Sequence, residues 1–422
     1  LDLGNNMIPL SPYLFSELKQ LRTLNLKNNN LEEIPKDSFA GLSNLKKLYL
    51  QRNRIQLLDN DSFSGLSSLG MLQLDNNRIS NLNAESMCRI PKLEELHLMN
   101  NTLTSVQPGS LACLRDLKFV NFAFNRLTRL SKTDFEGLTN VETMNLRNNR
   151  IAAIDPETFS HMKKLQTLFM TSNQLTMIDP RLFNGLTALN WLELNSNNID
   201  TLEAGSFADL NKLRVLHLED NNLSEVDREK KDTFAGLSNL MWLYLGHNDI
   251  RSISKNSFTG LSSSLLFLWL NDNKISSVES GTFGQMPELT RLHLENNKLT
   301  SIQQGVLKGL HKLDGLFLEY NQLGRVSKTD FKGLIGLRIL NLHHNQIDNI
   351  EEGAFSDLKQ LEQLDLRKNR LSTIEARVFN GLTSLKKLDL SDNRIGVVQL
   401  AAFQDLPALK TLNLANNNLT SV

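Results

Sequence analysis

The 422-residue chain has little of several residue types that define common protein classes. Its two cysteines exclude a disulfide-dense scaffold. Lys plus Arg and Asp plus Glu both total 46, so no net positive charge favours nucleic acid as a partner. No apolar run approaches the roughly 20 residues of a membrane-spanning helix. The sequence also lacks Gly-rich phosphate loops, nucleophile elbows and zinc-protease motifs, so we expect neither an enzyme nor a cofactor.

What the chain does contain is an internal repeat. Segments such as "LKKLYLQRNRI" (45–55), "LNWLELNSNNI" (189–199) and "LKKLDLSDNRI" (385–395) share the pattern LxxLxLxxNxL. The asparagine recurs every 24 residues except over the intervals 6–29, 221–248 and 248–273. Most units continue with an aliphatic residue and a phenylalanine, which Met87, Leu111 and Leu307 replace in three repeats. A unit this short cannot enclose its apolar side chains alone and must bury them against its neighbours.

These motifs resemble those of the leucine-rich repeat family, specifically the 24-residue class common in extracellular animal proteins. The resemblance covers essentially the whole chain and implies an α/β solenoid: a right-handed horseshoe with a parallel β-sheet on its concave face and loops or short 3-10 turns on its convex face. The continuous period predicts a single domain over residues 1–422, with about 17 full repeats. Extracellular members carry cysteine-rich caps at both ends, and neither is present here. We therefore expect a fragment of a longer protein.

The repeated asparagine and phenylalanine have structural roles in this interpretation. A side-chain amide offers donors and an acceptor where the chain leaves each strand, enough to satisfy buried backbone groups of adjacent turns. The resemblance implies the same asparagine ladder, which includes Asn149, Asn173, Asn197, Asn221, Asn248 and Asn273. The phenylalanines are expected to form a stacked spine in the core on the convex side.

Cysteine positions and glycosylation motifs favour the secretory pathway. Cys88 and Cys113 occupy nearly equivalent places in consecutive repeats, and this spacing is compatible with a disulfide or with two free buried thiols. Four Asn-x-Ser/Thr motifs are glycosylation candidates, at Asn60, Asn100, Asn222 and Asn418. Together with the repeat class, they predict an extracellular or cell-surface location, with any membrane attachment through parts outside this chain.

The outward positions of the strands carry the most informative side chains. In "MWLYLGHN" (241–248) the leucines point inward, and the residues between them face outward, because alternate residues of a strand point to opposite faces. The aromatic and imidazole side chains at these positions and in the following turns are Phe169, Trp191, His217, Trp242, Tyr244, His247, Phe267, Trp269, His293, Phe317 and Tyr320. A contiguous column of this kind predicts a ligand-binding surface. The alternative is that the rings only stabilise the sheet by stacking.

Charge is unevenly distributed over the same face. The central repeats carry Glu193, Glu219, Asp220, Asp272, Glu295, Asp314 and Glu319. Basic residues lie toward one end (Arg22, Lys27, Lys46, Lys47 and Arg52) and toward the other (Arg367, Lys368, Lys386, Lys387 and Lys410). We therefore expect a protein or peptide ligand of basic character at the centre, and the basic ends could contact glycosaminoglycan. His217 and His293 lie about three strand spacings apart, too far to share a metal ion.

The sequence thus predicts a non-catalytic protein-recognition module of a secreted or cell-surface protein, of adhesion, receptor or matrix type. Two alternatives stay open: the ectodomain of an innate-immune receptor of Toll-like type, and a structural spacer without a specific ligand. The aromatic face could also pair with a second copy of the chain. Extra residues in "VDREKKDTF" (226–234) and "GLSSSL" (260–265) are expected to form solvated bulges, contact loops or a local kink.

Overall fold

A computed structural model of the chain describes residues 1–226, 232–261 and 264–420. The insertion expected within "VDREKKDTF" and the extra serine of "GLSSSL" fall largely on residues 227–231 and 262–263, outside the described residues. The chain groups into two compact units: one comprises Leu1–Ile199 and Ser206–Leu213, the other Asp200–Gly205 and Arg214–Val422. The single domain over residues 1–422 stays a prediction.

The first unit contains a parallel sheet of short strands, each formed by the xLx segment of one repeat. The strands are Thr23–Asn25, Lys47–Tyr49, Met71–Gln73, Glu95–His97, Phe119–Asn121, Thr143–Asn145, Thr167–Phe169 and Trp191–Glu193. Each pairs with the next at equivalent repeat positions, as Thr143 does with Thr167. The connecting segments hold a short α-helix, Ala84–Cys88, a 3-10 helix, Lys132–Phe135, and the two-residue strands Arg129–Leu130, Ala153–Ile154 and Met177–Ile178.

The second unit repeats this arrangement. Its sheet strands are Val215–His217, Trp242–Tyr244, Phe267–Trp269, Arg291–His293, Gly315–Phe317, Ile339–Asn341, Gln363–Asp365, Lys387–Asp389 and Thr411–Asn413. The connecting segments hold the 3-10 helix Thr282–Gln285 and the two-residue strands Thr201–Leu202, Ser252–Ile253, Ser277–Val278, Arg325–Val326, Asn349–Ile350, Thr373–Ile374 and Val397–Val398. The predicted solenoid of parallel strands, with mostly irregular segments between them, is confirmed. The Ala84–Cys88 helix is α-helical, where only loops or 3-10 turns were expected.

The core is filled by the repeat positions that the period assigns to the interior. Leu243 and Leu245 of "MWLYLGHN" are fully buried, whereas the alternating residues Trp242 and Tyr244 are half-buried. Phenylalanine rings of several successive repeats stack at similar distances, for example Phe331 on Phe355 with centroids 6.1 Å apart. Burying one such side chain contributes roughly 1.5–3 kcal/mol. The stack therefore stabilises repeats that could not fold individually.

The repeated asparagine satisfies backbone groups of two neighbouring repeats. Asn297 donates from Nδ2 to the carbonyls of Leu270 (2.9 Å) and Leu294 (3.1 Å), and its Oδ1 accepts from the Ile275 N–H (2.9 Å). The same three bonds recur at Asn149, Asn173, Asn197, Asn248 and Asn273. Asn221 donates to the Leu218 carbonyl. Without these side chains the groups would be buried and unpaired.

The residue before each ladder asparagine has left-handed backbone geometry. Its φ lies between 51° at His247 and 60° at Arg52. Asn and Asp tolerate this conformation best among residues with a side chain, because they can hydrogen-bond locally. Phe124 (φ 55°) and Tyr320 (φ 54°) adopt it without that advantage. These two aromatic side chains are about half exposed.

The phenylalanine spine is interrupted once in each unit. In the first unit Met87 and Leu111 replace phenylalanine, and a disulfide joins Cys88 to Cys113 beside them, with a Cα–Cα distance of 5.1 Å. In the second unit Leu307 replaces it, next to a small apolar cavity that Val278, Leu294, Leu299 and Leu318 also line.

Along the residues that the structure describes, no helix combines the length and the apolar composition of a membrane span.

Candidate functional site

Five rings stack in a column on the sheet of the second unit. The column consists of His217, Tyr244, Trp269, His293 and Phe317, the last residue of each of five successive strands. Strand pairing places these residues directly beside one another. Their ring centroids are 4.1, 4.1, 5.4 and 4.3 Å apart in this order, and neighbouring planes lie within 12° of parallel. We call these five residues the aromatic ladder.

A second, shorter column lies beside the ladder. Trp242 and Phe267 are stacked with centroids 6.2 Å apart, and Phe267 contacts Trp269 at 5.5 Å. All of these rings are half-buried. Since the ladder rings stack face to face, the inner ones have both faces covered and offer mainly their edges to a ligand. Ring edges carry the positive end of the aromatic quadrupole, so the ladder is suited to apolar groups and carbonyl oxygens.

Carboxylates follow the ladder along one side. Glu219, Glu295 and Glu319 each come two residues after a ladder ring, and Asp220 and Asp272 lie one position further along their turns. We call these five residues the acidic strip. The His217 Nδ1 donates to Glu219 at 2.8 Å, and the His293 Nδ1 donates to Glu295 at 2.9 Å. A carboxylate only accepts hydrogen bonds, so each imidazole carries its proton on Nδ1.

The acidic strip keeps much of its negative charge. Among the described residues its ion-pair partners are histidines alone: His217, His293 and, for Asp272, His247 at 3.3 Å. One carboxylate oxygen of Glu219, of Glu295 and of Glu319 is buried and accepts no hydrogen bond from the residues that the structure describes. Burial and the neighbouring charge of Glu295 raise the pKa of Glu319. The strip is therefore a region of uncompensated charge beside an apolar column.

Phe169 and Trp191, in the first unit, surround a buried carboxylate. Glu193 is 8% exposed and accepts hydrogen bonds from Arg147 Nε (2.9 Å), Thr171 Oγ1 (2.8 Å) and Trp191 Nε1 (2.9 Å). The Arg147 guanidinium lies over the Phe169 ring at 3.8 Å. Burial opposes ionisation of Glu193, but these hydrogen bonds outweigh it, and the pKa lies below its usual value. Both predicted site residues thus take part in an internal network.

His247 and Tyr320 lie in the turns that follow the ladder strands. Tyr320 stacks on His344 with centroids 4.2 Å apart, and the Nδ1 atoms of His343 and His344 are within hydrogen-bond distance at 2.8 Å. Burial and the charges of Arg367, His344 and Lys368 lower the pKa of His343 to about 4, so this side chain is neutral at physiological pH. Within the described part of the chain, no three His, Cys, Asp or Glu side chains converge as a metal site requires.

The hydrogen bonds between imidazole and carboxylate were not predicted. Their signal is the segment "HLE" at 217–219 and 293–295, since residues two apart in a strand share a face.

The basic residues near the C-terminal repeats are partly neutralised: Arg367 pairs with Asp365 at 3.2 Å and Lys386 with Glu362 at 2.7 Å. The glycosylation candidates Asn60, Asn100, Asn222 and Asn418 are all exposed.

The family model described as a leucine-rich repeat matches this chain at residues 19–79, 71–127, 117–175, 171–223, 227–268, 263–323, 320–371 and 360–419. These matches cover most of the sequence, and the chain belongs to the leucine-rich repeat family. No curated protein matches it in a sequence search.

Several solved structures share the fold. A chain of the Drosophila Toll–Spatzle complex is 23% identical with a TM-score of 0.82, and the alignment covers 94% of this chain and 54% of that one. A leucine-rich repeat protein of Leptospira interrogans is 24% identical (TM-score 0.68; 97% and 94% covered). TLR13, in complex with ssRNA13, is 25% identical (TM-score 0.56; 100% and 82% covered). This chain thus spans about half the length of the Toll-complex chain that it matches.

Proposed function

We propose that this chain is a non-catalytic recognition module that binds a protein ligand on the aromatic ladder of its second unit. The observation that carries the proposal is the register of the five rings, which creates a continuous aromatic column with Trp242 and Phe267 beside it. Contiguous apolar patches on soluble proteins usually mark interaction sites. Trp and Tyr are also enriched among the residues that dominate binding energy.

A location outside the cell or on its surface is part of this proposal. The Cys88–Cys113 disulfide supports it, because such bonds persist in oxidising compartments. The exposed glycosylation motifs at Asn60, Asn100 and Asn222 support it as well. Any membrane attachment would come from parts outside this chain.

The kind of partner is argued from charge. Of the similar structures, one is a complex of Toll with Spatzle and another holds ssRNA13. A polyanion such as RNA needs Lys and Arg for its phosphates, and here carboxylates flank the aromatic ladder instead. We therefore propose a protein partner and no nucleic acid. A receptor ectodomain of Toll-like type is a second candidate, favoured by the likeness in fold. From the charge pattern we also propose that the basic ends contact glycosaminoglycan.

The test is a binding screen of the whole protein against a panel of purified extracellular proteins, run beside a Trp242→Ala/Trp269→Ala variant. The matched control is Phe124→Ala, which removes a half-exposed ring of the first unit. We expect a partner that binds the unmodified protein and the control but loses at least tenfold in affinity for the double variant. Full retention by the double variant would overturn the ladder as the site. Absence of any partner would favour the spacer, and self-association lost in the double variant would identify a homodimer.

A further inference from the structure

Four of the five carboxylates of the acidic strip fall into two groups, and Asp272 lies between the groups. Glu219 and Asp220 form the first group, and Glu295 and Glu319 on neighbouring repeats form the second. At the equivalent positions of the two intervening repeats the chain has Gly246 and Asn271. With neighbouring strands about 4.8 Å apart, Glu219 lies about 14 Å from Glu295 and about 19 Å from Glu319. The strip thus offers two separate anchoring points for positive charge.

Both groups are accessible, and neither has a Lys or Arg ion-pair partner among the described residues. The side chains of Glu219 and Glu295 are 22% and 21% exposed. Their described partners are the imidazoles of His217 and His293, and each keeps one buried oxygen that accepts no hydrogen bond from the described residues. An ammonium or guanidinium group bound at the exposed part of each carboxylate would supply the missing positive charge. Asp272, between the two groups, already accepts hydrogen bonds from Asn271 and Asn296 and pairs with His247.

The aromatic ladder determines which part of a basic ligand side chain can contact the rings. Cations bind to the faces of aromatic rings, but the faces of Tyr244 and Trp269 are covered by neighbouring rings at 4.1 to 5.4 Å. Their edges instead suit the aliphatic stems of long basic side chains and other apolar groups. The carboxylates must therefore bind the charged head while the ring edges contact the stem and the residues between two such heads.

We propose that the ligand contributes a basic segment with two Lys or Arg side chains, one bound at Glu219 and Asp220 and the other at Glu295 and Glu319, with apolar side chains between them on Tyr244 and Trp269. This inference rests on the proposed function and specifies its ligand. An extended chain advances about 3.3 Å per residue. The two basic residues are therefore about four to six positions apart if the segment lies across the strands.

The probe is a displayed library of random 12-residue peptides, selected on the whole protein and counter-selected on Trp242→Ala/Trp269→Ala. We expect the ladder-dependent peptides to be enriched in two Lys or Arg residues four to six positions apart. Calorimetry of the synthetic consensus peptide should show at least a tenfold loss for Glu219→Gln/Asp220→Asn and for Glu295→Gln/Glu319→Gln. The exposed Glu352→Gln is the matched control and should bind normally. Binding should also weaken as salt is raised, because the anchors are partly exposed charges.

Ladder-dependent peptides without paired basic residues, or with affinities that both glutamine variants leave unchanged, would overturn the basic segment and leave the proposed function intact. A library that yields no ladder-dependent peptide would overturn it too. The panel of folded extracellular proteins decides the proposed function separately, since a protein ligand that needs Trp242 and Trp269 but neither carboxylate group would support the site and contradict this ligand chemistry. Circular dichroism of each variant excludes unfolding as the cause of lost binding.

Discussion

Tyr244 stacks on Trp269 with ring centroids 4.1 Å apart and planes 12° from parallel. Aromatic pairs contribute about 0.5–1.5 kcal/mol beyond the area that they bury. A double-mutant cycle with Tyr244→Ala and Trp269→Ala, measured by urea unfolding, should therefore give a coupling energy of about 1 kcal/mol. The control cycle pairs Tyr244 with Phe317, three strands away, and should give a coupling near zero. Equal couplings in both cycles would show that the stacking itself adds nothing.

The network around Glu193 should be sensitive to its cation. Arg147→Met leaves a carboxylate that is 8% exposed without its ionic partner. Breaking a buried ion pair in this way costs about 3–5 kcal/mol, so the urea midpoint of the first unit should fall markedly. The double variant Arg147→Met/Glu193→Leu removes both charges and should recover most of the loss. A single variant as stable as the unmodified protein would show that Glu193 does not depend on Arg147.

The asparagine ladder predicts a position-dependent loss of stability. Asn297→Ala leaves the N–H of Ile275 without its partner and removes one of the two side-chain hydrogen bonds that each of the Leu270 and Leu294 carbonyls accepts. At about 1–3 kcal/mol for the unsatisfied buried N–H and about 1 kcal/mol for each lost bond to a carbonyl, the loss should be about 3 kcal/mol. Asn6→Ala is the matched control, because the exposed Asn6 bonds only the Leu3 and Gly4 carbonyls. Hydrogen exchange near residues 270–297 should increase only in the first variant.

His343 should make the second unit less stable in acid. Burial and nearby cations lower its pKa to about 4, whereas an unfolded histidine takes up its proton near pH 6.5. Between these values the unfolded state binds more protons. The stabilisation is therefore complete above about pH 6.5 and is lost as the pH falls toward 4, by about 3 kcal/mol in total. Urea midpoints measured from pH 7 to 4.5 should fall less steeply in His343→Gln, and parallel curves for the two proteins would contradict the assignment.

Phe124 is held in a conformation that suits asparagine better. Its φ is 55°, and its side chain is 52% exposed. Because few packing contacts compensate for the left-handed backbone, Phe124→Asn should stabilise the first unit by about 0.5–1 kcal/mol. The reverse change in the next repeat, Asn148→Phe, should destabilise it by a similar amount, since Asn148 has a φ of 52°. Thermal unfolding of the two variants measures both effects, and shifts in the same direction would exclude backbone preference as the cause.

The repeat period was sufficient to predict the strands, the buried leucines and the residues of the ladder. It works because every unit repeats the same backbone, so that an outward position in one repeat is outward in all. The period does not specify side-chain rotamers. Whether Trp269 stacks on Tyr244 or turns away, and whether Trp191 is free or donates to Glu193, depends on the neighbouring side chains. The first contact joins different repeats and the second lies within one strand, and neither leaves a periodic trace in the sequence.

The same reasoning explains what the charge pattern predicted and what it left out. Alternation placed Glu219 and Glu295 on the outward side of the sheet, but the hydrogen bonds from His217 and His293 could be found only from the geometry. Likewise, the spacing of Cys88 and Cys113 was compatible with a bond or with free thiols, and the structure has the two cysteines bonded, with a Cα separation of 5.1 Å.

The interruptions of the phenylalanine spine make the two units differ in mechanical stiffness. Repeats of a solenoid hold only their immediate neighbours, so a missing ring loosens one joint and leaves the rest unaffected. In the first unit the neighbouring repeats that carry Met87 and Leu111 are linked covalently by the Cys88–Cys113 disulfide. In the second unit the joint at Leu307 has no such staple among the described residues and borders a cavity. It lies between the strands that carry His293 and Phe317, so the last two rings of the ladder lie beside a place where no phenylalanine pair reinforces the stack.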